Sequence, residues 1–158
     1  MQPQFEFINT KKCIGKRLKM SLINNKTGEL WRSFMPFRKN ITHAISSDLI
    51  SLQTYDTNYF QQFNPNNEFE KWALAEVNDD TVVPEGFEKF EIPEGLYAVF
   101  HYKGLNTDTS IFEYIFTKWL PQSGYELDNR PHFEVLGSKY QNQSPDSEED
   151  IWIPVKSK

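Results

Sequence analysis

Two stretches of the chain place apolar side chains at the spacing of an amphipathic helix. The first stripe occupies residues 30–35, the second occupies residues 111–120, and a proline follows each. Apolar positions that recur every three or four residues give a helix one apolar face, and proline ends or kinks such a helix. The pattern predicts helices near residues 26–39 and 108–123.

Shorter apolar runs, separated by turn-forming residues, predict strands. Asparagine, aspartate, glycine and proline occupy many positions between these runs, as expected for connections. One connection is predicted at residues 78–81, and a polar, acidic loop is predicted at 137–150. The predicted extended segments are residues 5–22, 51–56, 72–77, 87–92, 96–102, 125–127, 132–136 and 151–155.

The order of these predicted elements repeats along the chain. In each half a strand leads to a helix, the helix ends at a proline, and two strands follow. We therefore predict an α+β fold made of duplicated β-α-β-β units, about 1–80 and 81–158, within one domain that covers residues 1–158. A shared antiparallel sheet with two main helices on one face leaves a central groove between the helices, a natural place for a ligand.

The composition of the chain excludes some classes of binding partner. The 158 residues include 15% aromatic residues, which can build a core or line a pocket, and the formal net charge is −5. An acidic chain lacks the basic face that nucleic acids and anionic membranes require, so we expect neither direct DNA binding nor membrane binding. The sequence has no apolar run long enough to span a bilayer and no signal peptide, which indicates a cytoplasmic protein.

Motifs for metal or cofactor chemistry are missing from the sequence. The single cysteine, Cys13, allows no internal disulfide bond and no cysteine-based zinc site. His132 and Glu134 match the first half of the zinc deaminase signature, but the second half is absent. Glycine-rich phosphate loops, dinucleotide fingerprints and serine hydrolase elbows do not occur. We therefore expect no cofactor and no metal.

Glu134 is the leading candidate for a site residue. In the predicted strand 132–136 it alternates with Phe133 and Val135, so it lies on the opposite face from these apolar side chains. That face is either exposed to water or the floor of a pocket, where a carboxylate walled by aromatic rings suits a cationic or amphipathic ligand. Rings from both helices and several strands are candidates for the wall, although each alone is more typical of a core. The candidate rings are Trp31, Tyr55, Trp72, Tyr97, Phe112 and Trp152.

Four segments together resemble the GyrI-like family of small-molecule-binding domains. They are residues 69–77, 92–100, 131–136 and 151–155, and the resemblance spans nearly the whole chain. The family includes the effector-binding domains of AraC-type and MerR-type multidrug-responsive transcription activators, and stand-alone proteins related to a gyrase inhibitor. The resemblance implies a duplicated β-α-β-β fold, a central groove for cationic, lipophilic compounds, and Glu134 at the base of that groove.

Three functions follow as hypotheses. The first is a stand-alone sensor or sequestering protein for small amphipathic or cationic molecules, since the predicted fold begins close to Met1 without a preceding DNA-binding segment. The second, implied by relatives that hydrolyse strained cyclopropane-containing toxins, is a hydrolase in which Glu134 acts as general base. The third is an acidic module that binds a protein partner, such as a regulator or gyrase.

Overall fold

The computed structural model describes residues 1–78 and 81–158, and these residues form nine strands. Residues 79 and 80, which belong to the connection predicted at 78–81, lie outside the described residues. The strands are β1 (Gln4–Ile8), β2 (Lys11–Ser21), β3 (Leu49–Thr54), β4 (Glu68–Glu76), β5 (Glu88–Ile92), β6 (Gly95–Lys103), β7 (Tyr125–Leu127), β8 (His132–Leu136) and β9 (Glu148–Ser157). Strands β7 and β8 have the predicted bounds, and the single segment predicted at 5–22 is divided into β1 and β2. The other strands differ from the prediction at their ends.

Both predicted helices are present, and each is irregular in its second part. α1 (Thr27–Phe34) continues into a 3₁₀ helix (Met35–Asn40), at the point where a proline removes a backbone donor. The second helix consists of α2 (Ser110–Tyr114), a π-helical turn (Ile115–Trp119) and a last turn, α3 (Leu120–Gln122). None of the helices in the described residues has the length and apolar character that crossing a membrane requires.

The strands of the described residues form one antiparallel sheet in the order β1-β6-β9-β8-β3-β4-β2-β5, and β7 pairs with β9 beside this path. The order β2, α1, β3, β4 recurs as β6, second helix, β8, β9, with the short strand β7 inserted before β8. Each unit is therefore built on a strand, a helix and two strands. The two units meet where β3 pairs with β8 and Ser51 lies opposite Glu134. They also exchange outer strands, because β1 precedes β2 yet pairs with β6, and β5 precedes β6 yet pairs with β2.

Both helices cover the same face of this sheet. A row of side chains crosses the sheet from Ala73, in the core beneath α1, through Ser51 and Glu134 to Ile151, in the core beneath the second helix. Residues directly opposite each other on antiparallel strands project to the same face. The helices therefore flank the middle of the row. This arrangement confirms the predicted α+β fold, with a groove between two helices on one face of the sheet.

The opposite face of the sheet carries a separate core. Side chains alternate along each strand, so the neighbours of the residues in the row point away from the helices. Central strand β3 is buried along nearly its whole length, which shows that both of its faces are covered. The large side chains of this second core include Ile50, Leu52, Trp72, Leu74, Tyr97 and Phe133.

Strand β9 begins earlier than predicted. The sequence predicts a solvated acidic loop up to residue 150, whereas the strand already begins at Glu148. The two ring nitrogens of His101 on β6 each lie 2.8 Å from a carboxylate, one of Glu148 and one of Asp150. This cross-strand contact gives the acidic side chains a partner within the sheet. Glu149, between them, projects to the face covered by the helices.

Gly15→Ala should destabilise the protein. Gly15 lies where β2 pairs with both β4 and β5, and an added Cβ atom would overlap the carbonyl oxygen of Ala73. Rotation of a side chain cannot relieve a backbone clash, so we expect the free energy of unfolding to fall by about 2–3 kcal/mol in urea titrations. Gly124→Ala is the control, because its Cβ atom would meet nothing within 4 Å. Equal losses in the two variants would contradict this account.

Candidate ligand-binding site

A cavity of about 680 Å³ lies between α1 and the second helix, over the middle of the sheet, and is called the groove below. Its floor holds Ser51, Lys71 and Glu134 from the neighbouring strands β3, β4 and β8. Trp31 of α1 and Phe112 of the second helix line its walls. Small-molecule sites commonly have volumes of roughly 300–1,000 Å³. The groove therefore has the size of a ligand site, with a polar floor and aromatic walls.

A second cavity, of about 720 Å³, lies beside the connection between β3 and β4. Many of its polar side chains are exposed, among them Asp56, Asn58 and Glu68. Although this cavity is slightly larger and also contains aromatic rings, the groove brings carboxyl and amino groups of perturbed pKa together between its aromatic walls, which is the arrangement typical of functional sites. We therefore assign the groove as the candidate site.

Glu134 is the central charged group of the groove floor. Burial raises the pKa of Glu134 to about 7, the positive charge of Lys71 and a hydrogen bond with Gln53 oppose this rise, and Glu149 adds to it. A carboxyl group that loses hydration without a closely paired cation holds its proton more tightly. Near neutral pH, Glu134 therefore exists in both protonation states.

Lys71 reaches the groove from β4. Its Nζ atom donates a hydrogen bond to Thr27 Oγ1 at the start of α1, at 3.2 Å. Burial lowers the pKa of Lys71, and the charges of Glu134 and Glu149 oppose that shift. Burial also raises the pKa of Glu149, and Lys71 opposes that rise. In the described residues, no group of three His, Cys, Asp or Glu side chains is arranged to hold a metal ion.

Polar side chains from two connections form part of the rim. Asn106 Nδ2 donates to the hydroxyl of Tyr140 at 2.9 Å and to Asn142 Oδ1 at 2.7 Å. The backbone N–H of Gln143 donates to Asn106 Oδ1 at 3.1 Å, and all four residues line the groove. These hydrogen bonds tie the connection after β6 to the one between β8 and β9. The rim therefore presents amide and hydroxyl groups in fixed positions.

The structure brings Glu134, Trp31 and Phe112 together in the groove, and their role in binding stays a prediction. Tyr55 lies just beyond the groove and lines the second cavity instead. Its ring meets His132 edge-on, with 5.0 Å between ring centroids. Burial raises the pKa of Tyr55, and the nearby charge of Glu134 adds to the rise. Tyr55 therefore lies next to the floor of the groove and does not line its walls.

The structure contradicts the expectation that Trp72, Tyr97 and Trp152 line the groove. Trp72 and Tyr97 lie in the core on the opposite face of the sheet, and Trp152 packs against that core. The hydroxyl of Tyr97 donates to the carbonyl oxygen of Pro131 at 2.8 Å, which anchors it there. The physical reason is strand alternation: Trp72 directly follows Lys71, and neighbours along a strand point to opposite faces. These three rings do not line the groove.

Lys71, Glu149 and Arg32 line the groove without being predicted from the sequence. Lys71 stands two residues before Ala73, and Glu149 stands two residues before Ile151. Both of those apolar residues lie beneath a helix, so the same alternation places the two charged residues on the helix-covered face. The alternation is therefore visible in the sequence, but it predicts groove residues only when the face that the helices cover is known for each strand.

The sequence matches the model of a protein family over nearly its whole length. The family is described as Cass2, integron-associated effector binding protein, and the match covers residues 3–155. The transcriptional regulator BrlR of Pseudomonas aeruginosa is 30% identical to this chain over 130 residues. That match covers 81% of this chain and 46% of the regulator, so the chain spans about half the length of this relative.

Solved structures share the fold at low sequence identity. The C-terminal domain of EcmrR has a TM-score of 0.72 and 15% identity, over 99% of this chain and 98% of that one. SAV2435 bound to tetraphenylphosphonium has a TM-score of 0.70 and 12% identity, over 99% of this chain and 94% of that one. At such identities the likeness shows a shared fold, and the roles of individual residues are argued from the groove itself.

Removing the charge of Glu134 should stabilise the protein at alkaline pH. The folded-state pKa of Glu134 is raised from 4.5 to about 7, so the folded state loses stability as the pH rises through this window. Glu134→Gln removes that loss. After allowance for solvent screening in an open groove, we expect it to be more stable than the wild type by roughly 2 kcal/mol near pH 8 and equally stable near pH 4.

Urea unfolding of both proteins at the two pH values measures the difference. Glu94→Gln is the matched control, because Glu94 is exposed between β5 and β6 and lies outside the groove. If Glu134→Gln and the wild type were equally stable at both pH values, the carboxyl group would be well hydrated, contrary to its position on the groove floor.

Proposed function

The chain belongs to the Cass2 family of integron-associated effector-binding proteins, and from this premise we propose that it binds small amphipathic molecules in the groove. The ligands we infer combine an aromatic body with a basic group, and the chain acts as a sensing or sequestering module for them. One observation carries the proposal: a cavity of about 680 Å³ has the carboxyl group of Glu134 on its floor and Trp31 and Phe112 in its walls.

The physical chemistry of the groove suits such ligands. Trp31 and Phe112 offer ring faces that bind apolar groups and attract cations. With a pKa of about 7, Glu134 is able to stay neutral without a ligand and to ionise when a cation approaches. The neutral form avoids the free-energy penalty of an unpaired buried charge, and the ionised form attracts the ligand.

The relatives support a role as an effector domain. The structure of SAV2435, which shares the fold, contains tetraphenylphosphonium, a cation with aromatic rings. BrlR, which is similar in sequence, is a transcriptional regulator. We infer by analogy that ligand occupancy of the groove is a signal for transcriptional regulation, passed on within a longer protein or to a partner.

A second candidate function is hydrolysis of an electrophilic ligand. The pKa of Glu134, about 7, favours it, because a general base works best when its pKa lies near the operating pH. The Glu134 carboxylate would take a proton from water while the water oxygen attacks one carbon of a strained ring. The ring bond from that carbon to a neighbouring carbon would break, and the neighbouring carbon would receive the proton from Glu134. Mass spectrometry after incubation with a cyclopropane-containing electrophile tests this reaction. Glu134→Gln should abolish turnover, since an amide does not accept the proton.

Glu134→Gln should weaken cationic ligands selectively. We expect the affinity for tetraphenylphosphonium to fall about tenfold, within the range for losing an interaction with a charged group. The affinity for uncharged triphenylphosphine oxide should change less than about twofold, because the rings supply its binding. Near pH 7, the cation should also release a proton from Glu134, so its binding enthalpy should depend on the ionisation enthalpy of the buffer.

Isothermal calorimetry of both compounds against the wild type, Glu134→Gln and the exposed control Glu94→Gln makes this comparison. Equal losses for the two ligands would indicate general damage to the groove. No loss for either ligand would show that the Glu134 carboxyl group does not contact what binds there. If neither compound binds the wild type, this proposal is wrong for ligands of this chemistry.

A further inference from the structure

The side chain of Lys71 has hydrogen-bonding capacity that the protein itself leaves unused. An ammonium group carries three N–H donors. In the described residues its one hydrogen bond goes to Thr27 Oγ1, at 3.2 Å, and no carboxylate lies within ion-pairing distance of it. Polar groups that are shielded from water are normally satisfied, so a partly buried ammonium with spare donors favours an acceptor from outside the protein. Because Lys71 lines the groove, a ligand is placed to supply that acceptor.

Other basic groups reinforce Lys71. Arg32 and Arg38, from α1 and the 3₁₀ helix that follows it, line the same groove. Within the described residues neither guanidinium pairs with a carboxylate. These cations face two acids, Glu134 and Glu149, and burial raises the pKa of both. Near neutral pH the lining of the groove therefore carries no net negative charge.

This charge pattern determines which ligands fit. A permanent cation that approaches Glu134 also approaches the ammonium of Lys71, which repels it. A ligand that carries an acid as well as an amine satisfies both groups. Strand β3 lies between β4 and β8, with Lys71 opposite Gln53 and Glu134 opposite Ser51. Two strand spacings across and two residues along place the backbones at Lys71 and Glu134 roughly 12 Å apart, a distance that a fused-ring system with its substituents covers.

We propose that Lys71 is a specificity-determining residue that makes the groove prefer amphoteric aromatic molecules to permanent cations. This inference rests on the proposed function, since it concerns the ligand class of that same groove. The acid of the ligand accepts hydrogen bonds from Lys71, and Arg32 adds attraction from α1. The basic group of the ligand lies towards Glu134, with its aromatic body between the ring walls.

A rhodamine dye with a free carboxylic acid and the methyl ester of the same dye test this proposal. The acid form is a zwitterion and the ester is a cation of nearly the same shape, so their difference in affinity isolates the effect of the acid. We expect the wild type to bind the acid about tenfold more tightly, equivalent to about 1.4 kcal/mol. Lys71→Met keeps the length of the side chain without its charge, and should bind the ester more tightly than the acid. Fluorescence anisotropy titrations measure all four affinities.

Two further variants keep the test decisive. Lys71→Arg retains a cation and should retain the preference for the acid. Lys118→Met removes an exposed lysine of the second helix and should change neither affinity. Equal binding of the two dyes by the wild type, or an unchanged preference in Lys71→Met, would overturn the proposal and leave the groove as a ligand site. Failure of both dyes to bind the wild type would contradict the proposed function and this inference with it.

Discussion

The register between β3 and β8 decides what the groove contains. Ser51 lies opposite Glu134, and Leu52 lies opposite Phe133. Because strand side chains alternate with a period of two, a slip by one residue would turn Phe133 into the groove and Glu134 into the opposite core. Leu52 and Phe133 pack in that core, and a carboxyl group in their place would lose several kcal/mol of hydration. The polar floor of the groove thus depends on apolar packing on the far side of the sheet.

The ionisable groups of the floor are influenced more by loss of water than by one another. The pKa of Glu134 is raised and that of Lys71 is lowered, which are the directions that burial produces. A tight ion pair between them would shift both pKa values the other way. The charged forms are therefore free to respond to a ligand, and binding of a ligand with complementary charge changes their protonation. This coupling of binding to protonation follows from the same burial that shapes the groove.

Local patterns made much of this fold predictable. The helices carry apolar stripes that end at prolines, and Glu134 is a polar position between apolar neighbours, so both are evident from the sequence. The start of β9 is not, because Glu148 is held in the strand by His101, which is distant along the chain. The sequence also does not show which face of β4 the helices cover, because Lys71 and Trp72 belong to a strand that is mostly buried on both faces. Only the pairing of β4 with β3 separates a groove residue from a core residue there.

The central claim, that ligands occupy the groove between the helices, is tested most directly by the indole N–H signals of the four tryptophans in a nitrogen-15 NMR titration. Trp31 lines the groove, and Trp72 and Trp152 pack on the opposite face of the sheet. Trp119 belongs to the second helix, and its side chain packs in the core between that helix and the sheet. Titration with the carboxylic-acid rhodamine should shift the signal of Trp31, which Trp31→Phe identifies, and leave those of Trp72 and Trp152 nearly unchanged. Shifts at Trp72 and Trp152 with none at Trp31 would place the ligand on the opposite face and contradict the account.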